Sequence, residues 1–216
     1  MMRFETKHLI RWGIPGWVLI FWLIYESLFL KGINPLESNL LDISKGLTVL
    51  ISLVAIGVPV GYIMHQIYFG FAWVLNNRKN FNEIADKIGD KFPKHDEWGQ
   101  NKHEDYFQFE YVWHSMLLNQ DVETRTYLEG RYRYMLSTIH GLGALIVSSA
   151  ISLMGTGLIG ESSQYQLTNS ADFPFIIYLW IGYSFQFIIL LSTIFNYMYY
   201  SNNLRAFQIK MLKTYL

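Results

Sequence analysis

Residues 47–74 read LTVLISLVAIGVPVGYIMHQIYFGFAWV, without one Asp, Glu, Lys or Arg. A helix needs about 20 predominantly apolar residues to cross the hydrocarbon core of a bilayer, so this run predicts a span with length left over for tilt. Its middle, Gly57-Val-Pro59-Val-Gly61, predicts a kink, because proline removes a helix donor and clashes with the preceding turn. Glycines at positions 57 and 61 also form a small-xxx-small face of the kind that lets membrane helices approach closely.

Three other stretches carry the same signal, from about Ile14 to Ile33, Leu142 to Ile159 and Phe173 to Tyr199. The first follows Arg3, Lys7 and Arg11 and could be mistaken for a secretory signal. It is too long for one, and no small-residue cleavage site closes it. The expected fold is an all-α membrane protein with four transmembrane helices and a helical cytoplasmic insert between spans 2 and 3. Residues 1–75 would carry spans 1 and 2, 76–135 the insert, 136–200 spans 3 and 4, and 201–216 a cytoplasmic tail.

Composition agrees. Of 216 residues, 51% are hydrophobic and 16% charged, against roughly 25% charged in soluble domains, and the mean hydropathy is +0.17. Lys+Arg and Asp+Glu both total 17, so no basic surplus points to direct nucleic-acid binding. The chain has no cysteine, which removes disulfides, thiolate metal sites and cysteine nucleophiles together.

Lys and Arg in short loops stay cytoplasmic, and their placement predicts both termini inside. Three precede span 1, nine lie in the insert from Asn76 to Arg133, and three (Arg205, Lys210, Lys213) lie in the tail. Only Lys31 and Lys45 fall outside. The insert also holds eleven carboxylates, so it reads as a solvated mixed-charge module. Asn80 with Glu83 signals a helix start, Lys91–Lys102 a loop, and Asp105 to about Leu118 an aromatic-rich helix. Asp121 is an N-cap candidate. After it, Leu128, Tyr132, Met135, Ile139, Leu142 and Ile146 recur at helical spacing, predicting that span 3 and its cytoplasmic stem are one helix.

Polar side chains inside spans cost several kcal/mol unless they face protein or water. Glu26, His65, Gln186 and the series Ser148, Ser149, Ser152, Thr156 fall there. They read either as hydrogen-bonding groups inside the bundle, with Glu26 reaching outward, or as a polar path. A second small-residue series, Gly141, Gly143, Ala144, Ser148, Ser152 and Gly155, marks close approach on span 3, and Gly141 and Gly143 could hinge the stem. These faces predict a homo-oligomer. His95-Asp-Glu97 and His103-Glu-Asp105 contain metal-ligating residue types but no fixed-geometry spacing, so no metal or cofactor is expected.

Arg133 and His140, with six residues between them, resemble the R-x4-6-H motif of HEPN ribonucleases, in which the pair acts in phosphodiester cleavage. Tyr134 departs from the polar residue usual after that arginine, and Arg3 with His8 matches equally well. No nucleotide loop or nucleophile-base pair accompanies them, so the chain is not expected to be an enzyme. In size, span count and helical insert, including the basic-aromatic stretch Arg131-Tyr-Arg-Tyr134, the chain resembles the small four-span membrane proteins of prokaryotic antiviral systems. Examples are the membrane subunit of the Kiwa system and the membrane partners of type VI CRISPR loci. That resemblance implies an oligomeric sensor or channel-like effector in a bacterial inner membrane. It also implies a cytoplasmic protein partner, coupled through Arg131, Arg133 and His140. A membrane-anchored ribonuclease and a small-solute or ion transporter are the alternatives.

Overall fold

The computed structural model describes residues 6–30, 43–75, 81–167 and 173–216. The loop expected at Lys31–Lys45 lies largely outside them, as does the helix-start residue Asn80, whereas most of the loop expected at Gly160–Pro174 is helical, because the helix of span 3 winds on to Leu167. The described residues form helices joined by non-helical segments at 89–101 and 119–121 and contain no strand: α1 (Thr6–Leu30), α2 (Ile43–Phe69), α3 (Phe81–Ile88), α4 (Lys102–Leu118), α5 (Val122–Leu167) and α6 (Phe173–Tyr215). In α2 helical winding continues through Pro59, and a π-helical turn, Gly70–Leu75, follows. Three of these helices are long and apolar enough to cross a membrane, over Ile51–Ala72, Val122–Gly157 and Ile177–Tyr215. The expected first span is not among the three. Helix α1 itself has 25 residues, and the run expected to span, from Ile14 to Ile33, extends beyond the residues described.

The chain divides into two compact units, one of residues 1–73 and 140–196, the other of residues 74–139 and 197–216. The first exposes large apolar side chains and buries several polar ones. Phe21, Ile51, Ile63, Phe185, Ile188 and Phe195 are exposed, while Glu26, Ser148, Ser152 and Gln186 are buried. Water would favour the reverse arrangement, and a hydrocarbon solvent favours this one. Leu19, Met64 and Ala144 bring α1, α2 and α5 together, with Leu23, Val60, Ile67 and Val147 packed around them.

The second unit has the core of a soluble domain. Ile84, Ala85 and Ile88 of α3 pack with Phe109, Val112, Trp113 and Met116 of α4, Leu128 of α5 and Leu212 of α6. Helix α4 begins at Lys102, three residues before the expected start, because Asn101 caps it: its side-chain oxygen accepts from the His103 N–H at 3.1 Å. Asp121 caps α5 as expected, accepting from the Thr124 N–H at 2.9 Å, and these backbone bonds hold its carboxyl below the usual range. Residues 201–216 are no separate tail: α6 continues to Tyr215, and Phe207, Ile209, Met211 and Leu212 join the core built by the insert. Apolar side chains at this spacing on a helix find a partner where one is available.

Candidate functional site

The polar groups of the bundle are contributed by helices that small residues allow to come close. A Cβ on Gly16 would lie 1.9 Å from the Gly57 carbonyl oxygen, and one on Gly61 would lie 1.5 Å from that of Trp12. The faces at Gly57 and Gly61 are therefore used within the chain, to pack α1 on α2. Gly143 is used in the same way against the Tyr68 ring, and Ser148 donates to the Pro15 carbonyl. None of these residues is left over as evidence for self-association.

Glu26 is fully buried. It does not reach outward, because its side chain is enclosed by the bundle. The hydroxyls of Thr156 on α5 and Tyr183 on α6 face it, near enough to interact electrostatically. Neither makes a hydrogen bond of ordinary geometry to it, and both carboxylate oxygens are without one. Tyr183 donates instead to the Thr156 carbonyl at 3.0 Å. The Thr156 hydroxyl lies 3.0 Å from the Leu153 carbonyl and 3.4 Å from Oε1 of Gln186. Gln186 is itself buried, and its Nε2 has no partner.

The remaining polar residues are divided between local and long-range roles. Ser152 donates to the Ser149 carbonyl at 2.9 Å, a bond within its own helix that needs no further partner. His65 is buried beside Arg11. The ring of His140 lies 4.7 Å from that of Phe69 and 5.9 Å from that of Tyr68. Arg133, two helical turns earlier on α5, is exposed and ion-paired with Glu129. Arg131 lies over the Tyr134 ring, 5.8 Å from its centroid. Arg133 and His140 thus have different neighbours.

Around the loop before α4, two members of the histidine-carboxylate cluster, His95 and Asp105, meet each other. Asp105 is buried and accepts from the Gly99 N–H at 3.0 Å, and its Oδ1 lies 3.0 Å from Nε2 of His95. Gly99 adopts a φ of 90°, which favours glycine, and so presents its N–H to the carboxylate. Among the described residues no three His, Cys, Asp or Glu side chains come together as a metal site.

The aromatics of α4 separate by face. Phe109 and Trp113 are buried in the unit core, whereas Phe107, Tyr111 and Leu118 are exposed. Sequence reading placed these aromatics in the insert but could not divide them. It also missed Tyr183 and Gly16, for which Gly13-Ile-Pro15-Gly16 inside an apolar run was the available signal.

No family model, curated protein or solved structure matches this chain.

Proposed function

We propose that this chain is a multi-pass protein of a bacterial inner membrane in which the second unit is cytoplasmic and acts on the bundle. It would serve as a membrane sensor or channel-like effector coupled to a protein partner. The observation that carries this reading is that α5 and α6 each contribute to both units without a break. A packing change at Leu128 or Leu212 then has a covalent helical route to the residues around Thr156 and Gln186. The α5 stem is capped at Asp121 and carries the Glu129–Arg133 pair in the favourable order.

In this proposal α1 is the fourth span. Its 25 residues, at about 1.5 Å each, exceed the roughly 30 Å needed. Its one internal carboxylate, Glu26, faces protein rather than lipid. The exposed side chains Phe107, Tyr111 and Leu118 on α4 are the proposed contact for the cytoplasmic partner. The antiviral role and self-assembly rest on resemblance in organisation to the four-span antiviral proteins.

Inserting one alanine after Ser137 turns the helix beyond it by about 100° and retains the winding, while seven alanines restore the face to within about 20°. The expected result is loss of phage protection, or of phage-triggered dye entry, with one alanine and its recovery with seven, in protein that still reaches the membrane. Full activity of the one-alanine variant would show that the stem is only a spacer.

A further inference from the structure

The Glu26 carboxylate is the group that the rest of the bundle leaves unexplained. Leaving a carboxylate buried without a cation or hydrogen-bond donor costs several kcal/mol. Yet Glu26 is fully buried, and neither of its oxygens has a hydrogen-bond partner. The two hydroxyls that face it direct their protons elsewhere, Tyr183 to a backbone carbonyl and Thr156 to the Leu153 carbonyl or Gln186. A hydroxyl that donates to a carbonyl keeps oxygen lone pairs that can serve as ligands. Gln186, whose Oε1 lies 3.4 Å from the Thr156 hydroxyl, has an unpartnered Nε2, and a single neutral amide N–H does not balance a full negative charge in a hydrocarbon-embedded bundle.

We propose that Glu26 binds a monovalent cation inside the bundle, with the oxygens of Thr156, Tyr183 and Gln186 completing the site. Three helices supply the ligands: Glu26 from α1, Thr156 from α5, and Tyr183 and Gln186 from α6. All are hard oxygen donors, which suit an alkali ion or a proton and not a soft metal. One carboxylate matches one positive charge, whereas a divalent ion would bring a second charge with nothing to oppose it. The titratable groups that face Glu26 are Tyr25 on α1 and Tyr183 on α6. From α5 it meets the neutral Thr156. On α2 the titratable His65 is placed beside Arg11, so it does not serve as the counter-charge. The site rests on the packing of α1 in the bundle and is independent of any antiviral role.

Thermal unfolding of the full chain in detergent tests this, with sodium chloride replaced by choline chloride at constant ionic strength, at pH 6 and pH 8. If sodium is the occupant, wild type gains about 2 to 5 °C with sodium and Glu26→Gln does not. If the proton is the occupant, sodium has no effect, and wild type gains a similar amount at the lower pH beyond any gain in Glu26→Gln. Identical responses of wild type and Glu26→Gln to both variables overturn the proposal. Should Glu26→Gln fail to fold, dicyclohexylcarbodiimide labelling of wild type decides, because the reagent attacks protonated carboxyls in apolar surroundings. Labelling of the Glu26 peptide that slows with added sodium or rising pH supports the site. Labelling that is absent, or indifferent to both, overturns it.

Discussion

At Gly16 the approach of α1 to α2 leaves no room for a side chain. An added carbon would meet the Gly57 carbonyl oxygen at 1.9 Å and the Gly61 nitrogen at 2.6 Å. Both are backbone atoms that cannot rotate away, so Gly16→Ala must separate the helices. At Gly130 an added carbon meets nothing within 4 Å. There alanine gains helix propensity, worth up to about 1 kcal/mol. Gly16→Ala and Gly61→Ala should each destabilise the bundle by about 1 to 3 kcal/mol or more, read as a lower thermal midpoint in detergent, with Gly130→Ala neutral or stabilising. Equal midpoints for Gly16→Ala and Gly130→Ala would mean that the close approach is not real. The glycines at 57 and 61 were legible in the sequence, but their partner was not. A small-residue face announces close packing without saying against what, and here the answer lies about 40 residues earlier, in a helix read mainly for its hydropathy. Glu26 has the same history. Its position inside an apolar run is visible in the sequence, whereas its enclosure by α5 and α6 depends on tertiary packing.

Helix α6 shows what reading by segments leaves out. Its apolar run to Tyr199 marks a span, and the mixture of charged and apolar residues after it reads as a tail. Yet Leu212 is fully buried in the core that α3 and α4 build. Arg205 pairs with Glu83 on α3, holding that carboxyl at about 2, and Lys87 assists. The pair is exposed, so salt and water screen it, and packing is the larger contribution. Leu212→Ala should cost the second unit about 2 to 5 kcal/mol, whereas Lys213→Ala, one residue on and exposed, should change little. Hydrogen exchange is the suitable measurement, because loss of Leu212 should raise exchange in α3 and α4, far away in sequence. If those amides stay protected, the end of α6 is not part of their core. The heptad-like stripe of α5 was legible because one period runs through Leu128, Met135 and Ile139, all of them buried. The contribution of α6 was not, because four or five apolar residues at a chain end carry no signal of where they dock.

The second unit constrains how the whole chain threads a bilayer. The insert and the last residues of α6 share one core, so they lie on the same side of any membrane the chain crosses. The segment between them must then cross an even number of times, which α5 and α6 satisfy as a pair. In the proposed topology the side follows from charge: fifteen of the 17 Lys and Arg residues fall before Ile14, in the insert or after Tyr199, and short segments rich in them stay cytoplasmic. What remains is α1. If it crosses, the N-terminus joins the insert on the inside. If only α2 crosses before the insert, the N-terminus lies outside, with Arg3, Lys7 and Arg11 on the wrong side. The four-span arrangement therefore predicts that reporters at the N-terminus, Gln100 and the C-terminus are cytoplasmic, and that reporters at Asn39 and Gln166 are periplasmic. The N-terminal fusion discriminates most sharply, since Asn39 is outside in either arrangement. A periplasmic N-terminus with a cytoplasmic Gln100 would reduce the chain to three spans. It would leave α1 beside the bundle as a non-crossing helix and remove Glu26 from the bilayer interior.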